Sequence, residues 1–271
     1  MFLECDMKKF DTIEINVINK LGKLVLNRPE KHNAMNALMI SEIRQAINYL
    51  GEEENVKVVL ILSNGNSFSS GADLKYMREQ ADMSPQENIE DSRNLAKMFY
   101  EIFTCPKPVI TYSHGTIAGG ANGIIAASDF ALTEENSTFR FSEVHLGLIP
   151  ATISPYIIDR IGRARAMELL LSGRKFSGKE AELYNLVNKS VKQQEMQNEL
   201  DEIISAFLKS APEATRKTKE LILKLSDLKS FEKLSDETAK IIAQARASKE
   251  GKEGINSFFE KRKPGWIDEK V

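Results

Sequence analysis

Two apolar runs with strand character end directly in glycine turns, and this repetition constrains the fold most. Val56 to Ser63 reads V-K-V-V-L-I-L-S and opens into Asn64 to Leu74, which carries Gly65 and Gly71. Pro108 to Tyr112 opens into a denser cluster, Gly115, Gly119, Gly120 and Gly123, followed by a small, apolar, helix-like run to Ser128. Strand, glycine turn and helix start present backbone N–H groups and a positive dipole end to an anion. The spacing fits neither G-x-G-x-x-G nor a Walker loop, so nucleotide phosphate is not the expected anion. Further on, Glu143 stands as a lone carboxylate between Phe141 and Val144, ahead of the turn Gly147 to Pro150. Aimed N–H donors and one acid in an apolar setting can stabilise an oxyanion and move a proton.

In chain order, Ile13–Ile18 and Leu21–Leu26 read as strands joined at Asn19-Lys20, and Asn27-Arg28-Pro29 ends the second. Met35 to Leu50 has helical period, with Ala37, Ile40, Ile43, Ile47 and Leu50 on one stripe. Met83 to Glu90 reads as a polar loop, and Ile89 to Phe103 as a helix closed by Cys105-Pro106. Phe130–Thr133, Phe139–Phe141 and Leu186–Val191 read as strands. Ile157–Ile161, Ala164–Leu171 and Lys179–Tyr184 read as helical. From Gln194 the pattern turns wholly helical, over 196–209, 212–225, 231–247 and 250–263. The expected organisation is therefore an α/β core over 1–193 and a helical region over 194–271.

The net charge of −2 over 271 residues offers no general attraction for nucleic acid or an anionic membrane. No apolar run reaches the ~18 residues needed to span a bilayer, and no signal-peptide pattern opens the chain. Cys5 and Cys105 have neither metal nor disulfide-framework spacing, which suits a reducing, cytoplasmic setting. His32, His114 and His145 lack metal-ligand spacing and read as structural. No metal is expected. Met77, Met83 and Met98 read as core or pocket lining. Lys209, Arg216, Lys217, Lys219 and Lys224 make a basic run on one helix, the one feature that suits RNA, although such runs are usually solvated faces.

Taken together, the motifs resemble the crotonase (enoyl-CoA hydratase/isomerase) superfamily. Phe68-Ser69-Ser70-Gly71-Ala72-Asp73-Leu74-Lys75 resembles its F-x-x-G-x-D-[LI] motif. His114-Gly115 with Gly120, and Phe141-Ser142-Glu143 with Leu146 to Pro150, resemble the next two motifs, in order. Leu26 to Pro29 with Asn33-Ala34-Met35 resembles the N-terminal motif, and Glu253 to Pro264 the C-terminal one. The resemblance spans nearly the whole chain. It implies an α/β fold, a crotonase-like spiral of ββα units followed by a C-terminal helical trimerisation region. It implies an acyl-CoA substrate, with coenzyme A part of that substrate and no separate cofactor, and a homotrimer or dimer of trimers. By resemblance, Ala72 and Gly120 supply the oxyanion-hole N–H groups and Glu143 the proton. Ala72, Asp73, Leu74, Lys75 and Gly120 contact the ligand, joined by Phe258 and Lys261, which could serve a neighbouring subunit's ligand.

One departure matters. Gly123 occupies the position of the first of two glutamates that a hydratase of this family uses, so Glu143 stands alone. A one-glutamate hydratase is expected to have water or a polar side chain beside Gly123. An isomerase also works with the second glutamate alone. The run Gly147-Leu148-Ile149-Pro150-Ala151-Thr152-Ile153-Ser154-Pro155-Tyr156 resembles bacterial methylglutaconyl-CoA hydratases. Hydration of an enoyl-CoA is accordingly the first expectation, double-bond isomerisation the alternative, and an RNA-binding role the remotest.

Overall fold

The structure is a computed structural model that describes residues 10–225 and 229–265. Its centre is a six-stranded sheet in the order β1 (Ile13–Ile18), β2 (Leu21–Leu26), β3 (Val58–Ser63), β4 (Val109–Ser113), β6 (Phe130–Glu134), β9 (Lys189–Val191). β1 and β2 form an antiparallel hairpin, and every other pair is parallel. The hairpin turns on Asn19 and Lys20, both at positive φ. A smaller sheet holds β5 (Thr116–Ala118), β7 (Thr138–Arg140) and β8 (Lys175–Ser177) in the order β5-β7-β8. In two successive ββα units the first strand, β4 or β6, joins the large sheet and the second, β5 or β7, joins the small one. The helices closing these units are α4 (Gly120–Ala127) and α5 (Ser154–Ser172). This is the expected α/β spiral.

The large sheet is buried on both faces because its strands alternate between two cores. Val59 and Ile61 of β3 enter the main cluster with residues of α1 (Ala37–Glu52) and α3 (Pro85–Thr104). Val58 and Leu60 point the other way, into a second cluster with Met196, Leu200 and Ile204 of α7 (Met196–Leu208). The first helix of the C-terminal region thus covers one face of the sheet. The helical stripe holds except at its first member: Ala37 is exposed, and Met39 and Ala46 are buried instead.

Two local expectations fail. The segment 83–90 is not all loop, because Ser84 and Glu87 form a capping box and Pro85 takes the first turn of α3. The helical runs on either side of Gly162 merge into α5, with a break at that glycine, φ 70. Short helices α2 (Leu74–Asp82) and α6 (Gly178–Leu183) also lie within the core. Beyond α7 come α8 (Pro212–Leu225), α9 (Lys229–Ala247) and α10 (Lys249–Phe259). α9 lies on α3, and α10 on the 3-10 turn Glu143–Leu146.

Candidate active site

Three extended segments from distant parts of the chain meet at the site. The parallel pairing of β5 with β7 sets Ala118 opposite Arg140, and the Gly119 N–H donates to the Arg140 carbonyl at 3.1 Å. Residues just past both strand ends, Gly120 and Glu143, are thereby brought to the same end of the small sheet. A further parallel bridge, Ser69 to Ile117, adds the first glycine turn beside β5. Gly71 and Gly119 both take positive φ, 92 and 52. A Cβ on Gly71 would stand 3.0 Å from the Ala118 carbonyl oxygen, so only glycine allows this approach.

Ala72 has its own parallel bridge, to Met35, which uses the peptide groups on either side of it. Met35 N–H donates to Gly71 O at 2.7 Å, and Asp73 N–H to Met35 O at 2.8 Å. In such a bridge the N–H and C=O of the central residue face away from the partner strand. Gly120 is the first residue of α4, where an N–H has no partner within the helix. The neighbouring N–H groups of Gly71, Asp73 and Gly119 are all engaged within the protein. This arrangement leaves the Ala72 and Gly120 N–H groups without an acceptor among the described residues.

Glu143 begins its 3-10 turn beside this corner. A Cβ on Gly119 would lie 3.5 Å from its Oε1. The residue is half-buried, but Oε2 is sealed from water and has no hydrogen-bond partner among the described residues. Burial pushes the carboxyl up to about 7, and its own backbone N–H offsets only part of that. A carboxyl group poised there gives or takes a proton readily near neutrality.

The flank of Gly123 corrects the sequence expectation. A Cβ there would lie 2.4 Å from Ile153 Cγ2 and 2.7 Å from Phe99 Cε1, so apolar side chains, not a polar group, fill the place. Phe99 also faces Gly120, and its ring lies 6.2 Å from that of Tyr156. No signal in the sequence pairs Phe99 with Gly123; the contact arises where α3 crosses α4.

Asp73 is engaged within the protein. Its Oδ1 caps α2 by accepting from Lys75 N–H at 2.9 Å, and its Oδ2 pairs with Arg28 at 3.0 Å. Arg28 also donates to Ala34 O at 2.6 Å, and Asn33 donates to Asn64 O and Ser67 O. The N-terminal motif thus braces the loop that carries Ala72. Hydrogen bonding and the Arg28 charge hold Asp73 below the usual carboxylate range despite its desolvation. Leu74 and Lys75 are exposed at the start of α2. Phe258 and Lys261 are exposed at the end of α10, and the neighbouring Phe259 lies under Arg78 of α2 at 3.8 Å. The end of α10 therefore stands beside this chain's own α2.

The histidines hydrogen-bond to the protein: His32 with Ser67, His114 with Gly65 O, and His145 with Ser172 O and Arg140. Met77 and Met98 are buried, Met83 half-buried. Lys209 stands at the end of α7, apart from the other four on α8, so the run is not on one helix, and it is not a free cationic face. Lys219 is buried against Asp129 at 2.6 Å, Arg216 pairs with Glu213 and Glu220, and Lys217 pairs with Glu213. Only Lys209 and Lys224 of that set stand exposed with no recorded ion pair among the described residues. Among the described residues no group of His, Cys, Asp and Glu could hold a metal ion, and no helix is long and apolar enough to cross a membrane.

The chain is similar to known proteins along nearly its whole length. A crystal structure of an enoyl-CoA hydratase from Shewanella pealeana is 35% identical, with a TM-score of 0.79, covering 95% of this chain and 97% of that one. A mevalonyl-coenzyme A hydratase of Aspergillus fumigatus is 30% identical, covering 92% of each chain. A trans-2-decenoyl-[acyl-carrier-protein] isomerase of Streptococcus mutans is 29% identical, covering 94% of this chain and 97% of its own length. The family model for enoyl-CoA hydratase/isomerase matches residues 17–269. With nearly its whole length matched and its glycine turns and Glu143 gathered at one corner, this chain belongs to the enoyl-CoA hydratase/isomerase family.

Proposed function

We propose that the protein is an enoyl-CoA hydratase in which one carboxyl group, Glu143, handles both protons. The N–H groups of Ala72 and Gly120 hold the thioester oxygen and oppose the charge that gathers there as C2 gains carbanion character. A fixed donor of this kind contributes about 3 kcal/mol in related systems. Protonated Glu143 gives its proton to C2 through one oxygen. The carboxylate so formed takes a proton from the water whose oxygen bonds to C3. The C2–H and C3–O bonds form, the C2=C3 π bond and one water O–H bond are lost, and Glu143 ends as it began.

The observation that carries this reading is the Glu143 carboxyl itself: sealed, unpartnered at Oε2 and raised to about 7, so that the acid form is well populated near neutrality. Gly123 brings no second carboxylate. The hydratase names of relatives at 35% and 30% identity support the same choice. By the resemblance of the run Gly147 to Tyr156 to methylglutaconyl-CoA hydratases, the proposed substrate is a branched enoyl-CoA such as 3-methylglutaconyl-CoA. Leu74, Lys75, Phe258 and Lys261 are the candidates for holding coenzyme A, which enters only as part of the substrate. A homotrimer or dimer of trimers belongs to the same proposal, and the exposure of Leu171 and Leu183 suits a subunit contact.

Isomerisation is favoured by a different observation, the apolar wall of Phe99 and Ile153 at Gly123, which offers a water no hydrogen bond. The isomerase among the relatives supports it too. In that case ionised Glu143 takes a proton from C2 of a 3-enoyl-CoA and returns it at C4. Crotonyl-CoA, 3-methylglutaconyl-CoA and 3-hexenoyl-CoA, offered in parallel, separate the two through the absorbance of the conjugated enoyl thioester. Loss of absorbance with either of the first two is the expected result. A rise with the third and no loss with the others replaces hydration by isomerisation.

A further inference from the structure

Gly119 C=O and Gly120 N–H belong to one trans peptide, so whatever fixes the carbonyl aims the donor the opposite way. That carbonyl accepts two hydrogen bonds, both from Asn122: one from its backbone N–H at 3.0 Å and one from its side-chain Nδ2 at 3.0 Å. The same Nδ2 donates at 3.0 Å to the Arg140 carbonyl, which also receives the Gly119 N–H. One amide therefore ties the Gly119–Gly120 peptide to the end of β7, three residues before Glu143. Asn122 is fully buried. Its Oδ1 has no partner, and turning the amide over would set that oxygen against two carbonyls. A buried acceptor left unpaired is a cost that an apolar side chain of similar volume would avoid. Position 122 therefore depends on its two donated bonds, not on filling space. Gly119 makes the tie necessary: at φ 52, ψ −127 it has no Cβ, and its peptide is held by hydrogen bonds alone.

We infer that Asn122 is a positioning residue for the oxyanion hole, fixing the plane of the peptide that supplies the Gly120 donor and its register with Glu143. The inference rests on the proposed role of Gly120 as an oxyanion donor. It does not depend on whether the bound enolate goes on to hydration or isomerisation.

The test uses acetoacetyl-CoA, whose enolate places negative charge on the thioester oxygen and is seen by its ultraviolet absorbance, and butyryl-CoA, which carries no such charge. Asn122→Leu keeps the volume and removes both side-chain donors. It is expected to bind butyryl-CoA within about twofold of wild type, to hold the acetoacetyl-CoA enolate about tenfold more weakly, and to lose about 10-fold to 100-fold in kcat with little change in KM. Asn122→Leu that holds the enolate as wild type does overturns the inference, whichever reaction the enzyme runs. Equal loss of both ligands also overturns it, because the residue would then be supporting the fold alone. If the variant does not fold, a crystal structure of the wild type with acetoacetyl-CoA decides. Gly120 N within hydrogen-bond distance of the thioester oxygen, with both Asn122 bonds kept, supports the inference; a turned Gly119–Gly120 peptide overturns it. A wild type that binds the enolate but neither hydrates nor isomerises any enoyl-CoA defeats the proposed function and leaves the inference about Asn122 standing.

Discussion

A carboxyl group that ionises near 4.5 in water and at about 7 in the folded chain keeps its proton longer when folded. Between those values the native state binds more protons than the unfolded one, so stability falls as pH rises through the window. Glu143 therefore lowers stability at pH 8, by at most roughly 3 kcal/mol, and has little effect near pH 4 to 5. Glu143→Gln removes the titration. Urea unfolding at pH 5 and pH 8 is expected to show the variant gaining on wild type at the higher pH. An identical difference at the two pH values would mean that the carboxyl is solvated. Gly123 gives the opposite case, a residue whose meaning changes once its neighbours are seen. In sequence it is a missing glutamate; in the fold its side-chain position is already held by Ile153 and Phe99.

α10 shows how an element outside the catalytic motifs enters the site. It packs on the Glu143 turn through glycines, and a Cβ on Gly254 would stand 2.2 Å from the Leu146 carbonyl oxygen. Gly254→Ala should push α10 off the turn, lower stability by about 1–3 kcal/mol and reduce turnover. Thermal unfolding and kcat check both effects, and a variant with wild-type values would show that the contact is loose. Elements with a strong local pattern were legible in the sequence. β1 and β2 fall where their apolar alternation and the Asn19-Lys20 turn put them, and α8 where its period puts it. β5 and β8 were not, because three-residue strands take their identity from β7 between them. The first turn of α3 was written in Ser84 and Glu87, but the polar composition around them reads as loop. The glycine turns and Glu143 were legible as chemistry. The bracing by Asn33, the amide of Asn122 and the Phe99 wall were not, since each depends on a partner far along the chain.

At the scale of the molecule, the site is a corner made by three parallel segments and closed by the C-terminal helices. The Ser69–Ile117 bridge and the β5–β7 pair bring Ala72, Gly120 and Glu143 together. α9 holds α2 and α3 through Arg246, which pairs with Asp91 at 3.3 Å, while Asp91 accepts from Tyr76 and Gln80. Within this frame a single carboxyl, with one oxygen buried and unpartnered, is proposed to move every proton. Its protonation state sets the sense of the pH dependence, because hydration begins from the acid form and isomerisation from the base. The most direct measurement is the pH profile of kcat for hydration of crotonyl-CoA from pH 5 to 9, for wild type and Glu143→Gln. The account predicts a plateau on the acid side, a fall as pH rises through about 7, and a loss on the order of 100-fold in the variant. A wild-type rate that climbs through pH 7, or a glutamine variant that keeps near-normal hydration, would contradict it.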